Sequence, residues 1–208
     1  MGFPRALRVK AYSGATRKDK VRAEISGQFL CSKAPRPSLI PPPGHQLLRR
    51  TPLERTLVLL KPDAVQRHLT GPILSRFEQK GLKLVGMKMR CFPLDTIQQH
   101  YSDHAARPFY PNLVKFMTSG PVVAMAFDGK DAIAVVRTLV GATNAREAAP
   151  GTIRGDFGMS FSNNMVHASD STESATKELA LFFSEPGDLN DWEPSDLAWS
   201  YNVEEELS

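Results

Sequence analysis

A chain of 208 residues that is 41% hydrophobic and 23% charged has room for one folded domain and some additional segment. Its charge is unevenly placed: residues 1–53 carry eleven Lys and Arg against Asp19 and Glu24, a balance of +9, while the rest carries fifteen basic and twenty acidic residues, a balance of −5. The basic pI of 9.1 therefore belongs to the N-terminal stretch and gives no reason to expect a nucleic-acid-binding domain. Cys31 and Cys91 lie far apart, with no Cys or His at metal spacing, so neither a disulfide framework nor a zinc site is indicated and a reducing compartment is the default. No run reaches the roughly 18 apolar residues of a membrane-spanning helix.

Residues 1–53 are Arg-rich and acid-poor, hold seven of the sixteen prolines and end in Pro41-Pro42-Pro43-Gly44. That composition need not fold, and it fits a mitochondrial transit peptide, with a cytoplasmic protein carrying a basic arm as the alternative. Thr56 to Leu60 is an apolar run stopped by Lys61-Pro62-Asp63 and predicts a central strand. Thr70-Gly71-Pro72 opens a helix that Gly81 ends. Val85, Met87 and Met89 alternate with Gly86, Lys88 and Arg90 as a half-exposed strand. Helices are expected over 94–102 and 108–117, then a strand at Val122–Phe127 that is apolar on both faces, then a helix at Ala132–Val140. Residues 141–156 read as loop, 159–167 as a fourth strand and 172–183 as a closing helix. The order predicts an α+β fold, a βαββαβ plan with added helices on one face of a four-stranded antiparallel sheet. From Glu185 onward eight acidic residues meet no basic ones, and Trp192, Trp199 and Tyr201 point to a tail that packs on the domain or on a neighbouring subunit.

The chemistry concentrates at Asn163-Asn164-Met165-Val166-His167-Ala168-Ser169-Asp170-Ser171. A strand here ends on a histidine and turns directly into a helix for which Ser169, Asp170 and Ser171 are all competent N-caps, Asp170 with Glu173 in capping-box spacing. An imidazole able to act as a nucleophile is thereby set beside the positive end of a helix, where anionic phosphate is stabilised; taken alone, the window fits a surface or satisfied core histidine as well. No G-x-x-x-x-G-K-[ST] loop is present, so phosphate must be held by side chains.

This window, together with Glu54-Arg55-Thr56-Leu57-Val58-Leu59-Leu60-Lys61-Pro62-Asp63-Ala64-Val65, Arg107-Pro108-Phe109-Tyr110, Ser119-Gly120-Pro121-Val122-Val123-Ala124-Met125 and Pro150-Gly151-Thr152-Ile153-Arg154-Gly155-Asp156-Phe157, resembles nucleoside diphosphate kinase over residues 54–184. Ala168 after the histidine, Met87-Lys88-Met89 and Glu147-Ala148-Ala149-Pro150 resemble the mitochondrial branch. The resemblance implies a ferredoxin-like core and ping-pong transfer of the γ-phosphate of a nucleoside triphosphate to a nucleoside diphosphate through phosphohistidine at His167. It further implies that Glu178 orients the imidazole with Ser169 bridging, and that Lys61, Tyr101, Arg137, Thr143, Arg154 and Asn164 contact phosphates or sugar. Phe109 and Leu113, with Phe161 opposite, would sandwich the base, and Mg²⁺ on the phosphates would be met by Asp170 through water. Phe109, Leu113, Phe116 and Met117 also form an ordinary core stripe, of which Phe116 is the better core candidate. The implied assembly is a homo-oligomer, a hexamer. At Ala105-Ala106-Arg107 a basic cluster is reduced to one arginine, so membrane contact is not expected. The competing reading is a non-catalytic scaffold that uses the basic arm to bind nucleic acid or an anionic membrane.

Overall fold

The computed structural model describes residues 53–194. The basic arm, apart from Leu53, and Trp199 and Tyr201 of the tail lie outside them. The described chain runs β1 Glu54–Leu60, α1 Pro62–Gln66, α2 Thr70–Gln79, β2 Lys83–Arg90, α3 Leu94–His100, a 3-10 turn at Ser102–His104, α4 Tyr110–Met117, β3 Val122–Gly129, α5 Ala132–Val140, α6 Ile153–Phe157, β4 Val166–Ala168 and α7 Thr172–Phe182. The strands form one antiparallel sheet in the order β2-β3-β1-β4.

Alternation along β1 sends Val58 and Leu60 to one face and Leu57 and Leu59 to the other, and both faces are buried. On the first face Ile73 and Phe77 of α2 and Val136 and Val140 of α5 meet Val123, Met125 and Phe127 of β3. On the second, Ile97 and Tyr101 from the α3 region, Val114 and Met117 of α4, and Leu179 and Phe182 of α7 close over Ala124 and Ala126. Helices thus cover both faces, where the sequence predicted one, because α3, α4 and α7 each bring an apolar stripe to the side opposite α2 and α5. Phe116 is only half-buried, and Val114 and Met117 are the α4 residues that reach the core.

Two other expectations are corrected. The fourth strand spans three residues, not 159–167, and just before it Phe161, Asn164 and Met165 give backbone groups to the side chains of Asn164, Arg154 and Asp63 and to the Lys61 amide instead of a ladder. The segment read as loop holds the short helix α6, capped by the Thr152 hydroxyl accepting from Gly155 N. Beyond α7 the tail lies along β2. Asn190 N donates to the Val85 carbonyl at 2.7 Å, beside an irregularity in the β2–β3 ladder between Leu84 and Gly86, and Trp192 Nε1 donates to the Leu84 carbonyl at 2.8 Å. Lys88 pairs with Asp188 and Arg90 with Glu185, so the acidic tail meets basic β2.

Gly155 is fixed by a close approach: a Cβ there would stand 2.1 Å from the Ala149 carbonyl oxygen, which is backbone and cannot swing aside. Gly71 in α2 has nothing within 4 Å of the same added atom. Gly155→Ala is expected to destabilise by about 1–3 kcal/mol, and Gly71→Ala to stabilise by about 0.5 kcal/mol. Urea denaturation midpoints of the two variants should move in opposite directions.

Candidate active site

The site is built where the end of β1 meets the entry to β4. Lys61 follows five buried strand residues and is itself buried, with its amide donating to the Met165 carbonyl at 2.8 Å. Its ammonium donates to Asn164 Oδ1 at 2.7 Å, while Asn164 Nδ2 donates to the carbonyls of Thr143 and Phe161, each at 3.1 Å. Burial is the main reason that the Lys61 amine is pushed down to about 8, with the nearby Arg154 adding to it.

Met165, two residues before His167, is fully buried at a φ of +64°, a left-handed conformation that is costly for a residue with a side chain. It is held from both sides of its backbone: Lys61 N takes its carbonyl, and Asp63 Oδ2 accepts from its amide at 3.0 Å. Burial raises the Asp63 carboxyl above its ordinary value. Arg154 closes the same turn, its Nε donating to Asn164 O at 3.2 Å, Nη1 to Gly141 O at 2.9 Å and Nη2 to Val166 O at 2.6 Å. The guanidinium expected to contact phosphate thus commits three of its five N–H groups to the backbone. Burial pushes it down to about 10, and it stays charged at neutral pH.

His167 sits mid-strand in β4, opposite Leu59, not at a strand end as the sequence suggested. Its Nε2 lies 2.8 Å from Glu178 Oε1, and the other oxygen of that carboxylate accepts from Ser169 Oγ at 2.5 Å. Ser169 is anchored in turn to β1, its amide donating to the Leu57 carbonyl at 3.2 Å and its hydroxyl oxygen accepting from Leu57 N at 3.3 Å. A carboxylate only accepts, so the His167 hydrogen is assigned to Nε2 and the lone pair to Nδ1, which has no hydrogen-bond partner among the described residues. The helix N-cap is Ser171, whose hydroxyl oxygen accepts from Ser174 N; Asp170 and Glu173 do not form the predicted capping box, and Glu173 pairs with Lys177 instead.

Rings lead outward from the histidine. Tyr101 lies 6.1 Å from the His167 centroid, His104 6.4 Å from Tyr101, and Phe109 5.6 Å from His104. Tyr101 is buried, and its hydroxyl has no partner among the described residues. Phe109 caps α4 and is exposed, Leu113 one turn on is half-buried, and Phe161 is exposed while its carbonyl holds Asn164. Arg137 is exposed in the last turn of α5, and its charge is felt by both Arg154 and Asp170. Asp170 is exposed and kept below the ordinary carboxyl range chiefly by a hydrogen bond with Ser174. Thr143 is exposed and contributes its carbonyl to Asn164.

Sequence reasoning missed Asp63 and His100. Asp63 reads as an ordinary first-turn acid after Pro62, and nothing local shows that Met165 will need its oxygen. The His100 side chain is 1% exposed, with its ring 4.5 Å from that of His167 and perpendicular to it, and with burial holding it neutral. Its one signal in the sequence is its place directly before Tyr101. Among the described residues, His100, His167 and Glu178 are the group of His, Cys, Asp or Glu whose donor atoms all lie within 4.8 Å of one another.

The buried amine gives a prediction whose sign is fixed. In the unfolded chain Lys61 titrates near 10.5 and in the fold at about 8, so between those values the unfolded state holds more protons and stability rises with pH. Burial of the charged amine opposes folding at neutral pH, and that cost is lifted as the amine deprotonates in the fold. Urea melts at pH 7.5 and pH 10 should show wild type gaining about 2–3 kcal/mol relative to Lys61→Met over that window. Parallel pH dependence of the two proteins would contradict it.

The family model of nucleoside diphosphate kinase matches residues 54–187. The chain is 56% identical over 149 residues to the nucleoside diphosphate kinase of Archaeoglobus fulgidus, covering 72% of this chain and 98% of that one. It is 50% identical to a nucleoside diphosphate kinase of Staphylococcus epidermidis over 72% of this chain and 99% of the relative. Among solved structures, a halophilic nucleoside diphosphate kinase from Halobacterium salinarum in complex with CDP superposes with a TM-score of 0.70 at 47% identity, over 73% of this chain and all of that one. A family protein from Babesia bovis gives 0.69 at 49% identity, over 71% and 99% of the two chains. Matched across its sheet, its histidine strand and both helical layers, the chain belongs to the nucleoside diphosphate kinase family.

Proposed function

We propose that His167 carries the phosphoryl group between nucleotides, and that the observation supporting this most directly is its Nε2 engaged by Glu178 at 2.8 Å with Nδ1 left free. The Nδ1 lone pair attacks the γ-phosphorus of a nucleoside triphosphate. The P–N bond forms as the bond to the β,γ-bridging oxygen breaks, and the diphosphate leaves with that electron pair. The Nε2 hydrogen stays between His167 and Glu178, whose negative charge balances the positive charge developing on the ring. An acceptor diphosphate then attacks the same phosphorus with a terminal oxygen and regenerates the imidazole. Ser169 keeps the Glu178 carboxylate in plane by holding its second oxygen.

Lys61, Arg137, Arg154 and the Tyr101 hydroxyl are the donors proposed for the phosphates, with Thr143 and Asn164 toward phosphate or sugar. Asn164 acts also by holding Lys61 in place, and Arg154 by fixing the turn. Phe109 and Leu113 form one wall of a base sandwich, with Phe161 proposed as its other side. Mg²⁺ would arrive with the nucleotide: near Arg137 the described residues offer the exposed carboxylate of Asp170, and among them no group of three carboxylates gathers as an oxygen site for the ion. Asp170 would meet the nucleotide-borne ion through water, and the chemistry such an ion would supply is neutralisation of phosphate charge.

The arm's composition supports mitochondrial targeting, tested by whether residues 1–53 carry a reporter into mitochondria. Assembly into a hexamer is supported by the edge strand β2, where Met87 and Met89 are 44% and 62% exposed. A chain starting at Leu53 should run as a hexamer in light scattering, and a monomer would refute that assembly.

Incubation with γ-labelled ATP should leave acid-labile label on His167, and His167→Ala should abolish both label and exchange while retaining the fold. Glu178→Ala should lower turnover by roughly 10²-fold with labelling still detectable, since it removes orientation and not the nucleophile. Near-wild-type exchange by His167→Ala would remove the proposal. Because apolar walls do not read base edges, kcat/KM across purine and pyrimidine diphosphates should differ by less than about a hundredfold.

A further inference from the structure

The residues behind the nucleophile carry a second chemistry. Two imidazoles and one carboxylate converge there, with donor atoms of His100, His167 and Glu178 all within 4.8 Å of one another. Glu178 Oε1 is the common point, 2.8 Å from His167 Nε2 and 3.7 Å from His100 Nδ1. The longer distance is outside hydrogen-bond range. It is close to the spacing of two ligands on a tetrahedral ion, about 3.3 Å when each metal–ligand bond is near 2.0–2.1 Å.

A second, independent observation concerns His100 itself. Its side chain is 1% exposed, yet neither ring nitrogen has a hydrogen-bond partner among the described residues. A buried imidazole in that state costs stability, and the proposed phosphoryl transfer gives it no role. Tyr101, His167 and Phe182 pack around the ring and limit its rotation. The Ser169 hydroxyl on Glu178 Oε2 orients the carboxylate, as outer hydrogen bonds do for metal-ligating carboxylates.

From this arrangement we infer that His100, His167 and Glu178 form a binding site for a borderline transition-metal ion of the Zn²⁺ class, and that its occupancy silences the kinase. Two nitrogens and one carboxylate oxygen suit Zn²⁺ and disfavour Mg²⁺, which takes oxygen ligands. His167 is 23% exposed, so the ion can enter from the mouth and keep a fourth position for solvent. The silencing rests on the phosphohistidine reading. Coordination takes the Nε2 lone pair, so the single N–H of the neutral ring moves from Nε2 to Nδ1 by way of solvent, with no net proton released. The Nδ1 lone pair that attacks phosphorus is then lost. Metal binding and phosphoryl transfer thus exclude each other on one ring.

The test uses the full chain, free of affinity tag and nucleotide, titrated first with Co²⁺ as a spectroscopic stand-in for Zn²⁺. Wild type should bind one equivalent with the visible bands of a tetrahedral ion, and His100→Gln should weaken binding at least tenfold. Zn²⁺ should inhibit label transfer from γ-labelled ATP to His167, reversibly on chelation, with the midpoint at least tenfold higher in His100→Gln measured against that variant's own metal-free rate. If His100→Gln fails to fold by circular dichroism, Glu178→Gln serves for the binding arm. Absent tetrahedral bands, or equal affinity in wild type and variant, would overturn the site. Binding without inhibition would overturn the silencing. Failure of the metal-free enzyme to form phosphohistidine would instead count against the kinase reading, while the Co²⁺ titration judges the metal site by itself.

Discussion

One buried amine organises the site. Lys61 ends a strand that is enclosed on both faces, and Asn164 is the side chain that takes its ammonium. Because an unpaired charge in that position is expensive, the two groups must meet, and their meeting fixes where the chain returns to the sheet. Asn164 is followed directly by the left-handed Met165, which the Lys61 amide and the Asp63 carboxylate grip by its carbonyl and its amide. The turn sets the register of β4 against β1, and that register places His167 opposite Leu59 with its ring toward Glu178. A polar contact at one end of a strand thereby aims an imidazole further along the chain.

The cations divide into two kinds. Lys61 and Arg154 are buried and spent partly on holding the protein to itself, whereas Arg137 is exposed in the last turn of α5. Groups locked by the fold do not reorganise as charge moves from one phosphate to another, which is where electrostatic catalysis gains most. An exposed arginine can follow a nucleotide as it enters and leaves. Glu178 shows the same economy: one carboxylate sets the hydrogen of His167, ties Ser169 to the helix and reaches toward His100.

Much of this was legible in the residues. The continuous apolar runs at Thr56–Leu60 and Val122–Phe127 mark strands buried on both sides, and the window around His167 marks a short strand followed by a helix, with the histidine in the strand and not at its end. The covering of the second sheet face was not legible, since an amphipathic pattern states that a helix has a buried side without saying which layer receives it. The shortness of β4 was hidden for a related reason. Its lost ladder bonds are replaced by Asp63, Arg154 and Lys61, at sequence separations that no local pattern reveals. His100 and Asp63 escaped notice because their surroundings are made by distant segments.

The anchoring of Ser169 to Leu57 spans 112 positions of the chain, and it sets an order for synthesis. β1 leaves the ribosome early and can pair with β3 to form most of the sheet, but its other edge waits for β4. Contacts of such separation carry a large loop-closure cost and form late. A nascent chain released before α7 would hold the core strands and lack any way to orient its histidine. On the proposed chemistry, phosphotransfer activity would report on completed folding, since His167 and Glu178 meet only after nearly the whole domain has been made.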